Sequence, residues 1–227
     1  EWEYRRLNPG DSLASNLRGV VGRDQSRALA GVERDFNDIL LQSSPLSPHE
    51  GPILRLTIDA LLQHRLEQTL GEAFERSGAK RAAAVFMNVQ TGEVLAMVSL
   101  PNFDPNEYYR STPFQRGNWN IRLNFEPGST VKVFMAAILM AEKAVGERER
   151  FFCDGEIHFH DSTVRCRLNG QVVKHGRLTL SEIISRSCNV GIIKAMQRVR
   201  KDRFYRYMSD LGFGRKTEAL PPGSGET

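Results

Sequence analysis

A serine and a lysine three residues apart form the most reactive pairing in this chain. In Glu126-Pro127-Gly128-Ser129-Thr130-Val131-Lys132 a proline and a glycine close a loop and an apolar run begins. Ser129 therefore falls in the first turn of a helix, with Lys132 one turn on and on the same face. First-turn N–H groups have no acceptor within the helix and point outward, which suits a developing oxyanion. A lysine at a helix N-terminus feels positive potential, and burial penalises its charge further. Both effects favour a neutral amine able to take the serine proton, the logic of a Ser–Lys acyl-transfer site. A helix-capping serine beside a surface lysine gives the same string, so the spacing alone decides nothing. The residues that follow, Val133-Phe134-Met135-Ala136-Ala137-Ile138-Leu139-Met140, are apolar almost all round. They predict a central helix buried on all sides, whose N-terminus opens at a cleft. Further on, Ser187-Cys188-Asn189 falls at a predicted break between two helices. A second hydroxyl and a carboxamide there suit proton relay and amide recognition, although both types also serve as plain capping residues. Taken together, the two motifs favour chemistry.

The elements that must position these groups belong to a chain of 227 residues, 40% apolar and 26% charged. That is room for one large or two small domains with a sizeable core, and it excludes global disorder and fibrous repeats. No apolar run is long enough to span a bilayer, and Glu1-Trp2-Glu3-Tyr4-Arg5-Arg6 does not read as a signal peptide. A net charge of +4 suits a nearby anionic polymer or membrane surface but is no nucleic-acid footprint. Three cysteines are too few and too scattered for a disulfide scaffold or a four-ligand zinc site.

Periodicity predicts a short helix over 32–41, then a linker over 43–52 that holds three prolines and three serines. Leu54-Arg55-Leu56-Thr57-Ile58 alternates like a strand. Asp59 caps a helix that runs to Ser77 and stops at Gly78. Residues 82–89 and 93–99 form an antiparallel hairpin around Gln90-Thr91-Gly92. Irregular chain to about Asn124 precedes the Ser129 helix, expected over 129–145. Residues 151–176 read as irregular or short-stranded, Thr179-Leu180-Ser181-Glu182 is a capping box, and helix resumes over 190–198. The pattern is that of a mixed α/β domain.

Other candidates carry less. His158 and His160 alternate in a strand as a metal pair would, but without an acidic or thiol partner at matching spacing they read as exposed strand side chains. Arg198-Val199-Arg200-Lys201-Asp202-Arg203 reads as a solvated face at a helix end. Cys153 and Cys166 fall across short strands, and either a disulfide or two free buried thiols fits.

The chain resembles the class B penicillin-binding proteins, the cell-wall transpeptidases of division, elongation or sporulation. The match runs through Leu56-Thr57-Ile58-Asp59 with Gln63, Val89-Gln90-Thr91-Gly92-Glu93-Val94-Leu95-Ala96-Met97, Pro101-Asn102-Phe103-Asp104-Pro105-Asn106 and Glu126-Pro127-Gly128-Ser129. It continues through Cys153-Asp154-Gly155, Cys166, His175-Gly176 and Ser187-Cys188-Asn189-Val190-Gly191. Upstream, Arg6-Leu7-Asn8-Pro9-Gly10 and Ala30-Gly31-Val32-Glu33 are similar to patches of the pedestal domain that precedes catalysis in the family. The resemblance implies an α/β (α+β) transpeptidase domain like that of serine β-lactamases, incomplete, over 53–227. A partial pedestal with its linker would occupy 1–52. Ser129 would be the acylated nucleophile, Lys132 its base, Ser187 a proton relay and Asn189 a ligand of the substrate's peptide amide.

The implied activity is D,D-transpeptidation of the D-Ala-D-Ala stem peptides of peptidoglycan, blocked covalently by β-lactams. It implies no metal and no organic cofactor and would take place outside the cytoplasmic membrane, on a protein anchored by an N-terminal transmembrane helix. Implied partners are a glycosyltransferase and other cell-wall synthesis proteins, with no nucleic acid. Two rivals stand beside this reading. A serine β-lactamase or β-lactam sensor is disfavoured by the pedestal-like segment and the signatures at 101–106. A non-catalytic scaffold is disfavoured by the intact Ser129/Lys132 and Ser187/Asn189 pairs. The chain departs from the family where Asn118-Trp119-Asn120 replaces the Asn-Arg-Ala of many relatives, and where Ala28 stands for a usual glycine. The family's third motif, Lys-Thr-Gly or Lys-Ser-Gly, is not in the sequence; Lys216-Thr217-Glu218 lacks the glycine and lies too near Ser187. The expectation is thus a piece without its C-terminal third, inactive alone, with an unpaired sheet edge and exposed apolar surface.

Overall fold

The computed structural model describes residues 7–22, 28–40, 52–159 and 161–215. The predicted linker, apart from Pro52, and His160 and Lys216-Thr217-Glu218 lie outside them. The chain divides into two compact units, Glu1–Asn124 with Thr217–Thr227, and Phe125–Lys216.

The first unit begins with α1 (Ser15–Arg18), β1 (Val20–Val21), β2 (Ala28–Ala30), α2 (Gly31–Asp35) and α3 (Asn37–Leu40). The predicted helix over 32–41 is therefore two short ones, broken at Phe36 (φ −112°, ψ 19°), which packs against the small core of Ala14, Leu17, Val32 and Met97. Backbones cross closely here. A Cβ on Gly19, itself at φ +84°, would stand 1.7 Å from the Ala30 carbonyl oxygen, so only glycine fits. Then come α4 (Ala60–Ser77), β3 (Ala82–Met87), β4 (Val94–Leu100), a 3-10 turn at Pro105–Arg110, α5 (Pro113–Arg116) and α6 (Trp119–Arg122). The two ends of α4 behave as read: the Asp59 carboxylate accepts the Leu62 N–H at 2.9 Å, and Gly78 closes it at φ +62°. β3 and β4 form the expected antiparallel hairpin, from Ala82 opposite Leu100 to Met87 opposite Val94. Among the described residues they pair only with each other, and Val85, Phe86 and Met87 are about half exposed.

Residues 54–58 form no strand. The segment runs along the free edge of β4 but bonds it only through the Thr57 hydroxyl to the Val94 carbonyl (2.6 Å) and the Asp59 N–H to the Leu95 carbonyl (2.9 Å). Gln63 of α4 occupies the next ladder position. Its side-chain amide donates to the Met97 carbonyl at 2.9 Å and accepts the Met97 N–H at 2.8 Å, as a neighbouring strand would. The same Nε2 donates to Glu67, whose carboxylate accepts the Ala14 N–H. One fully buried glutamine thus joins helix, hairpin and N-terminal segment. On β4, the Ser99 hydroxyl bonds the Asn118 side chain and accepts the Trp119 N–H, so Asn118-Trp119-Asn120 anchors α6.

The second unit opens with a 3-10 turn, Gly128–Thr130, that leads into α7 (Val131–Ala141). Three small antiparallel pairs follow: β5 (Phe151–Cys153) with β10 (Gly176–Leu178), β6 (Glu156–Phe159) with β7 (Ser162–Arg165), and β8 (Arg167–Leu168) with β9 (Gln171–Val172). α8 (Leu180–Ser185), α9 (Asn189–Met196) and α10 (Lys201–Asp210) complete it. α7 differs from expectation in two ways. It ends at Ala141 rather than near 145, because Lys143 turns to φ +50° and the Lys143 and Ala144 N–H groups bond back to Met140 and Leu139, a Schellman stop. It is also not buried all round. Leu139 packs into the core beside α8 and α9 and Ile138 is buried, whereas Val133 is 60% and Met140 68% exposed.

The basic run at 198–203 spans the joint between α9 and α10 rather than one solvated face. Arg198 pairs with Glu149, and Arg203 pairs with Glu142, which also accepts the Tyr207 hydroxyl. α10 went unread in the sequence although Phe204, Tyr207, Met208 and Leu211 follow helical spacing.

Replacing Gln63 by alanine leaves the Met97 N–H and carbonyl buried without partners, each worth roughly 1–3 kcal/mol. Denaturant unfolding of Gln63→Ala should show a loss of about 3 kcal/mol, and a loss within error of zero would contradict the bridging role.

Candidate active site

Pro127 (φ −66°) and Gly128 (φ +56°) turn the chain into the first turn of α7. Ser129 sits exposed in that turn, and Lys132 lies one turn deeper, only 7% exposed. The second half of the site is set by α8, which opens with the capping box read from the sequence. The Glu182 N–H meets the Thr179 hydroxyl at 3.3 Å, and the Thr179 N–H meets the Glu182 carboxylate at 2.8 Å. α8 closes with a second Schellman motif, in which the Ser187 N–H bonds the Ile184 carbonyl (3.0 Å) and the Cys188 N–H the Ile183 carbonyl (2.9 Å). Ser187 takes the left-handed position at φ +51°, where glycine is the usual choice. Cys188 then caps α9, its Sγ accepting the Gly191 N–H at 3.2 Å.

This turn delivers two oxygens of one residue to Lys132. Lys132 Nζ donates to the Ser187 carbonyl at 2.6 Å, the Ser187 hydroxyl at 2.9 Å and the Ser129 hydroxyl at 3.2 Å. The Ser187 hydroxyl donates to Ser129 Oγ at 2.8 Å. Three of the four residues singled out by sequence therefore share one closed network. Asn189 does not join it: the first residue of α9, it spends its Nδ2 on the Arg165 carbonyl at 2.9 Å. The main-chain carbonyl of Ser187, a third acceptor for the lysine, could not be read from side-chain types.

Burial lowers the pKa of Lys132 from the ordinary lysine value of 10.5, against an opposite pull from the neighbouring Cys166 and Cys188 thiols. Ser129 Oγ accepts from both Lys132 and Ser187, and when Lys132 gives up a proton its lone pair faces the Ser129 hydroxyl and can take that hydrogen. A nucleophile, a desolvated amine and a bridging hydroxyl in mutual contact are the equipment of nucleophilic acyl transfer.

Beneath the network, the fold gathers the cysteines that look scattered in sequence. Cys153, Cys166 and Cys188 are buried free thiols. Cys166 Sγ lies 3.7 Å from each of the other two sulfurs. Burial pushes the Cys188 thiol up to about 12. Cys153 closes β5 as expected, but Cys166 lies between β7 and β8 rather than in a strand. His158 is exposed on β6 and bonds Thr163 and Glu156.

A family model described as penicillin binding protein transpeptidase domain matches residues 82–225. The chain is 32% identical to penicillin-binding protein PbpB of Mycolicibacterium smegmatis, over 96% of this chain and 36% of that protein. It is 33% identical to stage V sporulation protein D of Bacillus subtilis, over 97% of this chain and 37% of that one. The apo crystal structure of penicillin binding protein 3 from Mycobacterium tuberculosis superposes with a TM-score of 0.82 at 30% identity, covering 94% of this chain and 49% of that chain. Its complex with aztreonam also gives 0.82. The chain thus spans a little over a third of the length of these two curated relatives.

A left-handed serine costs about 1–2 kcal/mol of backbone strain. Ser187→Gly should relieve this, leaving the melting temperature equal or higher, while removing the hydroxyl that bridges Lys132 and Ser129. Calorimetry beside an acylation assay should show stability kept and acylation reduced at least about 100-fold. Unchanged acylation would remove Ser187 from the chemistry.

Proposed function

Because the chain belongs to the penicillin-binding protein transpeptidase family, and within it to class B, we propose that this protein is a peptidoglycan D,D-transpeptidase acting through Ser129, Lys132, Ser187 and Asn189. The observation that carries the reading is the closed contact of Lys132 with both serine hydroxyls. In the acylation step Ser129 Oγ attacks the carbonyl of the penultimate D-Ala, and its proton passes to the neutral Lys132 amine. The tetrahedral oxyanion collapses, the peptide C–N bond breaks, and the leaving D-Ala nitrogen takes a proton through Ser187. An amine from a neighbouring stem peptide then attacks the ester, loses its proton to the same network, and the new peptide bond releases Ser129. A β-lactam enters by the first step, and the opened ring keeps its leaving nitrogen tethered to the acyl group.

Asn189, held by the Arg165 carbonyl, keeps its Oδ1 and second amide hydrogen for the peptide backbone of the substrate. Its place beside Ser187 supports that role. The proposed organisation is a partial pedestal with linker over 1–52 and transpeptidase chain over 53–227. The work site is the outer face of the cytoplasmic membrane, reached through an N-terminal anchor, with a glycosyltransferase and other wall-synthesis proteins as partners. Among the described residues no helix is long and apolar enough to cross a membrane.

Incubation of the intact protein with a fluorescent penicillin should label Ser129, and Ser129→Ala should abolish the label. Lys132→Ala should slow acylation by roughly 10²–10⁴. The neutral fraction of Lys132 grows as pH rises, so the acylation rate should climb with pH along a limb whose midpoint lies below 10.5. A midpoint at or above that value would reject Lys132 as the base, and labelled Ser129→Ala would reject the nucleophile.

A further inference from the structure

Three thiols and an imidazole converge in the core of the second unit, below the serine–lysine network and apart from its oxygens. Cys166 Sγ stands 3.7 Å from Cys153 Sγ and 3.7 Å from Cys188 Sγ, and His175 Nδ1 stands 3.6 Å from Cys153 Sγ. All four ligand atoms lie within 4.8 Å of one another. Tetrahedral zinc, with bonds of about 2.3 Å to sulfur and about 2.0–2.1 Å to nitrogen, spans edges of about 3.8 Å between sulfurs and about 3.5 Å from sulfur to nitrogen. Three edges of the cluster already have those lengths. We propose that Cys153, Cys166, Cys188 and His175 form a binding site for one zinc ion.

The surroundings of the sulfurs support this independently of their spacing. Two of them accept backbone N–H groups: Cys166 from Val190 at 3.5 Å and Cys188 from Gly191 at 3.2 Å. Thiols packed only as small apolar groups have no need of donors, whereas thiolates bound to a metal are held and oriented by them. Soft sulfur with one imidazole and no carboxylate selects zinc over magnesium or calcium. Four protein ligands leave no open position, so the ion is structural. Binding replaces the three thiol protons, which leave to solvent, and half-buried His175 lies on the solvent side of the cluster.

The four ligands come from separate places in the chain: the end of β5, the link between β7 and β8, the residue before β10, and the cap of α9. One ion therefore ties three strand pairs to the helix break. Cys188 lies between Ser187 and Asn189, so the ion fixes the main chain on which both sit. Cys153, Cys166 and His175 act on the reaction only through that positioning.

The test is metal analysis of the intact protein purified from zinc-containing medium. Mass spectrometry of the metal should find about one zinc per chain, and cobalt added after chelation should give a thiolate-to-cobalt charge-transfer band that saturates at one equivalent. Cys153→Ser and His175→Ala should lower metal affinity by more than about 100-fold, while His175→Cys, which offers a fourth thiolate, should keep the cobalt band with a shifted maximum. Should the weakened variants fail to fold, the cobalt titration of the wild-type protein, before and after alkylation of its thiols, decides alone. Wild-type protein with fully reduced thiols that binds neither metal overturns the proposal, as does metal content unaffected by these substitutions. A disulfide among the three cysteines in the protein as isolated overturns it too.

Discussion

An ammonium has three hydrogens, and Lys132 has three oxygens to receive them: the hydroxyls of Ser129 and Ser187 and the Ser187 carbonyl. Everything else in the second unit serves that arrangement. The turn before α7 sets Ser129 over the lysine, the left-handed stop of α8 turns both oxygens of Ser187 toward it, and the core holds its stem out of water. Two tendencies oppose each other at the nitrogen. Its acceptors and the neighbouring Cys166 and Cys188 favour the charged form, while desolvation, the larger effect, presses it toward neutrality, and the net result is a lowered pKa. Such an amine gives up its proton more readily than a surface lysine and has the serine beside it when it does. Neither the bonds nor the burial alone would leave an amine both placed beside the serine and ready to lose its proton.

The parts of this arrangement governed by local rules were legible in the sequence. Ser129 and Lys132 share a face because the helical period demands it, Thr179 and Glu182 announce a helix start, and Asp59 and Gly78 bracket α4. The break at Ser187 was readable as a break. Its left-handed geometry was not, because serine carries no signal for positive φ and the hydrogen bonds that stabilise the stop come from backbone groups. The alternation at 54–58 misled for a related reason: the segment meets β4 only at Val94 and Leu95, and the ladder position that would continue the pairing, at Met97, is taken by Gln63, a side chain imitating a strand, which no pattern of apolar residues reveals. The apolar run of α7 likewise overstated burial, since composition records what could be covered and only packing records what is.

The cysteines show the limit most plainly. Read along the chain, their spacings match no metal motif, and residues between them form the β6–β7 and β8–β9 pairs. Those excursions return the chain to the same spot, so that residues 13 apart, Cys153 and Cys166, and 22 apart, Cys166 and Cys188, touch. Contact made by such returns leaves no periodic trace. The family resemblance covered the same residues as an ordered string of matches, which identified the domain without indicating that the thiols meet.

α8 is sealed at both ends, by the capping box at Thr179 and the Schellman motif at Ser187. Helices ordinarily fray from their termini, and the first and last amides then exchange with solvent hydrogen through small local openings. Here the terminal N–H groups of Glu182, Ser187 and Cys188 all have partners, so no cheap opening exists from either end. Their exchange must wait for a cooperative opening that dismantles the core around Ile183. The main chain that carries Ser187 is thus held against fraying, although the hydroxyl it presents lies at the surface.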